Sequence, residues 1–420
     1  MLLRFRVANA LSLRDEQELS FVVPQGEDAP TARALKLSDG KTLDVYPLLS
    51  IFGANASGKS NVLSSLKKMR EAVLKSYTGW GSHEPVPRER FALDPHSADE
   101  NTFYEADFVL EDGVRWTYGF ELSDVRVEAE WLHAYPKGRR QEWLDRDASR
   151  DREFHFPGER IQDRALLART TRPNTLLLSR AAADNHPQLS RIHRWFFDNL
   201  WDIDPEAERP QREAFTTQRL QDPKARSRIE ELLRVADLGI TGTRVDQPPG
   251  TDRPVVRLIH ADGDGEGEGV AIDWKRESFG TRSWYALLGP LLLALDEGAV
   301  LLIDELDSSL HPRFAAEVVR LFHDPLVNPK GAQLVFTSHD PSLLSTPSGG
   351  RLLDPGQIWL TEKDSRGATE LYPLTAAEPG EDEDLTRSYL EGAFGGIPTL
   401  TAGQIGRRLL MARATEVERT

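Results

Sequence analysis

Apolar positions recur along the chain with two different periods, and the changes of period divide the molecule. Residues 2–7 (LLRFRV) alternate apolar and basic side chains, and 19–23 continue in a strand-like pattern. Residues 46–52 (YPLLSIF) make a short apolar run ending at Gly53, as a strand buried on both faces would. Beyond Gly58 the spacing turns helical, with Val62, Leu63, Leu66, Met69, Ala72 and Val73 on one face. Residues 103–109 and 114–122 alternate around Glu111-Asp112-Gly113, which predicts an antiparallel hairpin. From 124 to 252 Arg and acidic residues dominate. Helical spacing returns there at Leu189, Ile192, Trp195 and Phe196, then at Ile229, Leu232, Leu233 and Val235. This pattern predicts a mostly helical insertion over 124–252. Beyond it, 299–303 (AVLLI) and 333–337 (QLVFT) are short, chiefly apolar runs and each precedes a helical segment, as central parallel strands do. The expected architecture is an α/β head split into 1–123 and 253–362, with a tail over 363–420.

Composition narrows the chemistry. The chain has 420 residues, a net charge of −15 and no cysteine, which removes disulfide frameworks, thiolate metal sites and cysteine nucleophiles. The first residues lack a leader's apolar core, and the longest apolar stretch, 284–295, is interrupted by Pro290. No membrane span and a cytoplasmic location are therefore expected. The acid excess argues against a surface built to coat nucleic acid, leaving DNA at most a local or indirect contact. Arginines over 137–172 read as a solvated helix face laced with ion pairs. The run GDGEGEG at 263–269 lacks the ligand spacing of an EF-hand and reads as a flexible turn between strands at 255–260 and 270–274.

Four motifs carry the candidate chemistry. GANASGKS at 53–60 matches G-x-x-x-x-G-K-[ST] and lies between a buried strand and a helix. Its backbone and side chains, from Gly53, Asn55, Ala56, Ser57, Gly58, Lys59 and Ser60 to the adjacent Asn61, are candidate phosphate contacts. Lys59 would reach the β- and γ-phosphates of ATP, and Ser60 would offer an oxygen to Mg²⁺. A second apolar strand ends in Asp304 and Glu305, the first a candidate Mg²⁺ ligand and the second a candidate base for the attacking water. His339 ends a third strand, where it could sense the γ-phosphate. Ser278 and Gly280 open a helix, a second anion-binding helix start, which makes sense if two copies meet head to tail.

In this order the motifs resemble an ABC-type P-loop ATPase head, as found in SMC, RecF and OLD-family proteins. ESFGT at 277–281 stands in the signature position, VLLIDE at 300–305 in Walker B, LDSSLHP at 306–312 in the D-loop and FTSH at 336–339 in the switch region. The expected fold is accordingly a mixed central sheet with an antiparallel N-terminal lobe and a mostly helical inserted subdomain. EWLHAYPKGR at 130–139, NTLLLSRAAADNHPQL at 174–189, LRVADLGITG at 233–242 and YLEGAFGGIP at 389–398 resemble the stand-alone bacterial ATPases of abortive-infection (AbiL-type) and PARIS anti-phage systems. That resemblance implies an ATP-dependent homodimer or larger homo-oligomer, a phage trigger, and a separate effector such as a Toprim-like or other nuclease. The chain departs from the pattern in two places: Ala10-Leu11 stands where SMC-like heads often have Phe-Arg, leaving Arg14 as a candidate, and no Q-loop glutamine is evident. Two alternatives stay open, an SMC/RecF-like ATPase acting directly on DNA and a scaffold held by ATP without hydrolysis. A DExD-type helicase reading lacks a second lobe, and a GTPase reading lacks an N-K-x-D motif. The tail, with its acidic run at 381–384, is too short for a nuclease domain and reads as a docking or closing element.

Overall fold

The computed structural model describes residues 1–203, 208–237, 239–247, 254–262, 269–308, 310–345, 350–380, 383–397 and 403–409. In chain order, β1 (Leu2–Ala8), β2 (Gln17–Ser20), the small hairpin β3 (Arg33–Lys36) and β4 (Thr42–Val45), and β5 (Leu48–Gly53) precede α1 (Lys59–Lys75). Five strands follow: β6 (Thr102–Val109), β7 (Arg115–Leu122), β8 (Val127–Ala134), β9 (Gln141–Asp147) and β10 (Phe154–His155). Then come α2 (Arg164–Thr170), α3 (Leu177–Ala183), α4 (Ser190–Asn199), β11 (Leu200–Ile203), α5 (Arg209–Arg219) and α6 (Pro223–Ala236). The antiparallel strands β12 (Ile240–Asp246), β13 (Val255–His260) and β14 (Val270–Ile272) lead to α7 (Phe279–Glu297). The chain continues through β15 (Val300–Ile303), α8 (Pro312–His323), β16 (Gln333–Ser338), β17 (Ile358–Lys363), β18 (Thr369–Pro373) and α9 (Leu385–Glu391).

Two large sheets organise these elements. The antiparallel sheet has the order β10-β9-β8-β7-β6-β1-β2. The second has the order β11-β15-β16-β5-β17-β18, with every neighbouring pair parallel except β17–β18. Alternate residues of the parallel strands enter different cores, as the two-residue period of a strand requires. Leu49, Ile51, Val300 and Leu302 face a core shared with α1, α3, α4 and the antiparallel sheet, while Leu48, Phe52, Leu301 and Ile303 face one shared with α6, α7 and α8. The buried Gln333 side chain accepts from Leu2 N at 2.6 Å and donates to Leu2 O at 2.8 Å, tying the first strand to β16. The mixed α/β architecture with an antiparallel N-terminal lobe is therefore present.

The segment 124–252 holds five helices, α2 to α6, in keeping with the helical expectation, and adds strands to them. It opens with β8, β9 and β10, which extend the antiparallel sheet, and β11 joins the parallel sheet beside β15. The reason these strands escape the pattern lies in their inward-facing polar residues. Glu130, His133 and Arg146 are buried on strand positions where apolar side chains would have produced a visible alternation. Glu130 accepts from Tyr118 Oη at 2.9 Å and from Leu177 N and Leu178 N at 2.7 and 3.0 Å, so the carboxylate caps the start of α3. Arg146 lies 3.6 Å from it and donates to Glu153 Oε1 at 2.6 Å and Thr175 O at 2.8 Å. Arg146 thus stands on a strand and Arg139, Arg140, Arg150 and Arg152 on the connections beside it, while Arg164 and Arg169 lie on α2. Arg140 pairs with Glu142, and Arg150 with Asp145 and Asp147. Most of the glycine-acid run at 263–269, Ser309 of the D-loop stretch, half of the acidic run at 381–384 and the end of the tail lie outside the described residues. No described helix is long and apolar enough to cross a membrane.

Candidate functional site

The carboxyl ends of the parallel strands, where ligands collect in such sheets, carry the first three motifs. β5 is buried throughout and ends at Gly53. The loop passes exposed Asn55 and Ala56, the latter at φ 63, and turns at Gly58, φ 109, to start α1. No side chain caps that helix, so the Lys59 and Ser60 amides at its start are left for an anion. Glycine is required at the bend, because a Cβ at Gly58 would overlap the Thr369 hydroxyl as well as sit at positive φ. Lys59 is buried, and its ammonium donates to Gly53 O at 2.8 Å and Ala54 O at 3.1 Å. Desolvation holds its pKa below the ordinary lysine value, although the carboxylates of Glu305, Asp304 and Asp307 pull the other way.

A chain of hydroxyls supports this loop from outside the motif. Asn61 Nδ2 donates to Ser12 Oγ at 2.7 Å, Ser12 Oγ lies 2.7 Å from Thr369 Oγ1, and Thr369 Oγ1 donates to Ser57 O at 2.8 Å. Thr361 Oγ1 lies 2.6 Å from Ser57 Oγ. These partners come from the β1–β2 connection and from β17 and β18. Single hydroxyls far from the motif in sequence give no signal. Arg14 is near this region but is engaged by Asp15 at 2.7 Å, with Asp364 at 3.8 Å.

β16 separates the phosphate-loop strand from β15, and its end organises the acidic pair. Ser60 Oγ donates to Asp304 Oδ1 at 3.0 Å, and Thr337 Oγ1 donates to the same oxygen at 2.6 Å. Glu305 stands at φ 50, in the left-handed region, with its N–H donating to Thr337 Oγ1 at 2.7 Å. Leu306 N donates to Thr337 O at 3.0 Å. His339 is exposed, with Nδ1 3.2 Å from the buried carboxylate of Asp307. Asp307, within the 306–312 stretch, thereby holds one side of the histidine ring.

Ser60 and Asp304 also line a cavity of about 70 Å³ with Ser64, Lys67 and Asp202. Asp202, on β11, is held 2.5 Å from Lys67 Nζ. A polar residue on a four-residue strand leaves no periodic signal in the sequence. The donor set of hydroxyl and carboxylate oxygens suits a hard divalent cation such as Mg²⁺.

The fourth motif stands apart. Ser278 caps α7, its Oγ accepting from Thr281 N at 3.0 Å, and the helix starts at Phe279. Ser278 and Gly280 are exposed, and among the described residues no hydrogen bond or ion pair joins them to the phosphate loop. The preceding Glu277 is buried and accepts from His260 Nε2 at 3.0 Å. The exposed Phe279 ring lies under the Arg209 guanidinium at 4.7 Å.

The SMC head domain from Thermotoga maritima is 12% identical, covers 89% of this chain and 98% of its own, and gives a TM-score of 0.42. The cbiO1 structure from Clostridium perfringens, part of the ABC transporter complex cbiONQ, is also 12% identical, covers 94% and 98%, and gives 0.30. No curated protein matches the chain significantly. A family model does match, over residues 48–345, from β5 through the phosphate loop and the acidic pair to just beyond His339. The chain belongs to that family, described as "AAA domain, putative AbiEii toxin, Type IV TA system", and is an ATPase-class P-loop domain.

Proposed function

We propose that this chain binds MgATP at the ends of β5, β15 and β16, hydrolyses it, and uses the cycle to close and reopen two copies that gate a separate effector. The observation that carries the reading is the convergence of Lys59, Ser60, Asp304 and Glu305, from two distant parts of the chain, around one uncapped helix start. In this reading Lys59 exchanges its two loop carbonyls for phosphate oxygens. Ser60 and Asp304 hold Mg²⁺, which supplies charge neutralisation on the phosphates when bound. Glu305 orients and deprotonates the attacking water, and His339, its ring steadied by Asp307, faces the γ-phosphate. Ser278 and Gly280 act on the site of the second copy, in keeping with their exposure and their separation from their own phosphate loop.

The family's description as a toxin of a toxin–antitoxin system supports a role in abortive anti-phage defence. The effector would be a Toprim-like or other nuclease supplied in trans, and a phage product would be the trigger. The ion pairing of Arg140, Arg146 and Arg150 speaks against direct DNA binding by that region. The test is ATPase activity together with mass in solution, with and without ATP. Wild type should turn over slowly and associate with ATP, and Glu305→Gln should stop turnover while trapping the ATP-bound dimer. Unchanged turnover in Glu305→Gln would refute the role of Glu305, and a constant monomer mass with ATP would refute head closure. Nuclease activity that needs both this chain and the product of a neighbouring gene would support the effector role.

A further inference from the structure

We infer that Thr337 is a positioning residue that sets the geometry of both acidic groups at once. Its hydroxyl is fully buried and uses both of its capacities on the 304–305 step. The O–H donates to Asp304 Oδ1 at 2.6 Å, and a lone pair accepts the Glu305 N–H at 2.7 Å. Directionality follows from the partners: the carboxylate can only accept and the amide can only donate, so the hydroxyl has one orientation.

The second bond falls where the backbone is under strain. Glu305 has φ 50, a conformation that is strained for a non-glycine residue and persists only where its surroundings impose it. Thr337 supplies two such restraints, its hydroxyl to Glu305 N and its carbonyl to Leu306 N. The carbonyl bond survives any side-chain substitution, whereas the hydroxyl bond is specific to threonine or serine. Ser60 Oγ shares Asp304 Oδ1 with Thr337, so one carboxylate oxygen links the phosphate-loop helix, β15 and β16. Loss of the hydroxyl would free Glu305 to leave the left-handed region and leave its amide without a partner. The base would then no longer be aimed at the water, while the phosphate loop itself would be untouched.

The catalytic part of this inference rests on the hydrolytic reading above, so the experiment has an arm that needs no turnover. Thr337→Val keeps the shape and removes the hydroxyl, and Thr337→Ser restores it. In the nucleotide-free protein, the Glu305 amide should exchange with solvent at least about tenfold faster in Thr337→Val, and near the wild-type rate in Thr337→Ser. Unchanged protection in Thr337→Val would overturn the positioning role whether or not the protein hydrolyses ATP. With MgATP, kcat should fall about ten- to a hundredfold in Thr337→Val, KM should stay within about threefold, and Thr337→Ser should recover most of the rate. A Thr337→Val protein with faster Glu305 exchange and wild-type kcat would also overturn the inference. Equal loss in both variants, with a lowered melting temperature, would reduce Thr337 to a structural residue. Absence of turnover in wild type would count against the proposed function alone and leave the exchange result to decide this one.

Discussion

Removing the Glu130 carboxylate tests how the antiparallel lobe is fastened to the helices around the phosphate-loop helix. Glu130 and Arg146 are both fully buried, and Glu130 receives three donors besides the guanidinium: Tyr118 Oη, Leu177 N and Leu178 N, at 2.9, 2.7 and 3.0 Å. In Glu130→Ala those three donors lose their acceptor where water cannot replace it, at about 1–3 kcal/mol each before relaxation. Arg146 keeps Glu153 and the Thr175 carbonyl, so its charge is only partly abandoned. The expected loss is about 3–5 kcal/mol, the range for breaking one side of a buried ion pair. Glu130→Gln retains one acceptor oxygen and should lose about 1–2 kcal/mol. Glu153→Gln is the control: its side chain is 27% exposed, and the change should cost about 1 kcal/mol or less. Urea unfolding followed by tryptophan fluorescence measures all three, and exchange of the Leu177 and Leu178 amides localises the effect. A Glu130→Ala protein within about 1 kcal/mol of wild type, or a Glu153→Gln protein equally damaged, would refute the reasoning.

Three further outcomes follow from the structure. Thr369→Val removes the donor to Ser57 O and the partner of Ser12 and should weaken ATP binding about tenfold in titration calorimetry, with Thr369→Ser restoring it. Phe279→Ser changes an exposed ring and should leave unfolding free energy within about 0.5 kcal/mol, yet lower ATP-dependent association if α7 starts at the contact between two copies. His133, His193 and His323 are each held below the ordinary histidine value of 6.5, foremost by burial. The unfolded chain therefore binds protons that the folded chain does not, so stability should fall as pH drops below 6.5 and recover on return. Melting curves across that window check the sign, and His323→Gln should flatten the slope.

The parts legible in the sequence were those whose physics is local. β5, the glycine-rich loop and α1 form one continuous signal, because a buried strand, a tight bend and an apolar helix face each leave their own period. The alternation of β6 and β7 around a Asp-Gly turn was equally plain. β8 and β9 were not, because Glu130, His133 and Arg146 point inward and their burial is made possible by partners elsewhere in the chain. The same holds around the candidate site. Lys59, Asp304 and Glu305 announce themselves by motif, whereas Ser12, Asp202, Thr337, Thr361 and Thr369 matter only through whom they meet. Notably, the stretches 130–139 and 174–189, singled out by resemblance, converge physically at the bond from Leu177 N to Glu130.

The support of the phosphate loop by β17 and β18 has a consequence for biosynthesis. The loop is complete as a sequence once residue 60 has been translated, but Thr361 and Thr369, which hold Ser57, emerge some three hundred residues later. Contacts of such long separation form slowly and late. A growing or prematurely ended chain would thus carry the nucleotide motif without its bracing, a looser loop than the one in the finished molecule.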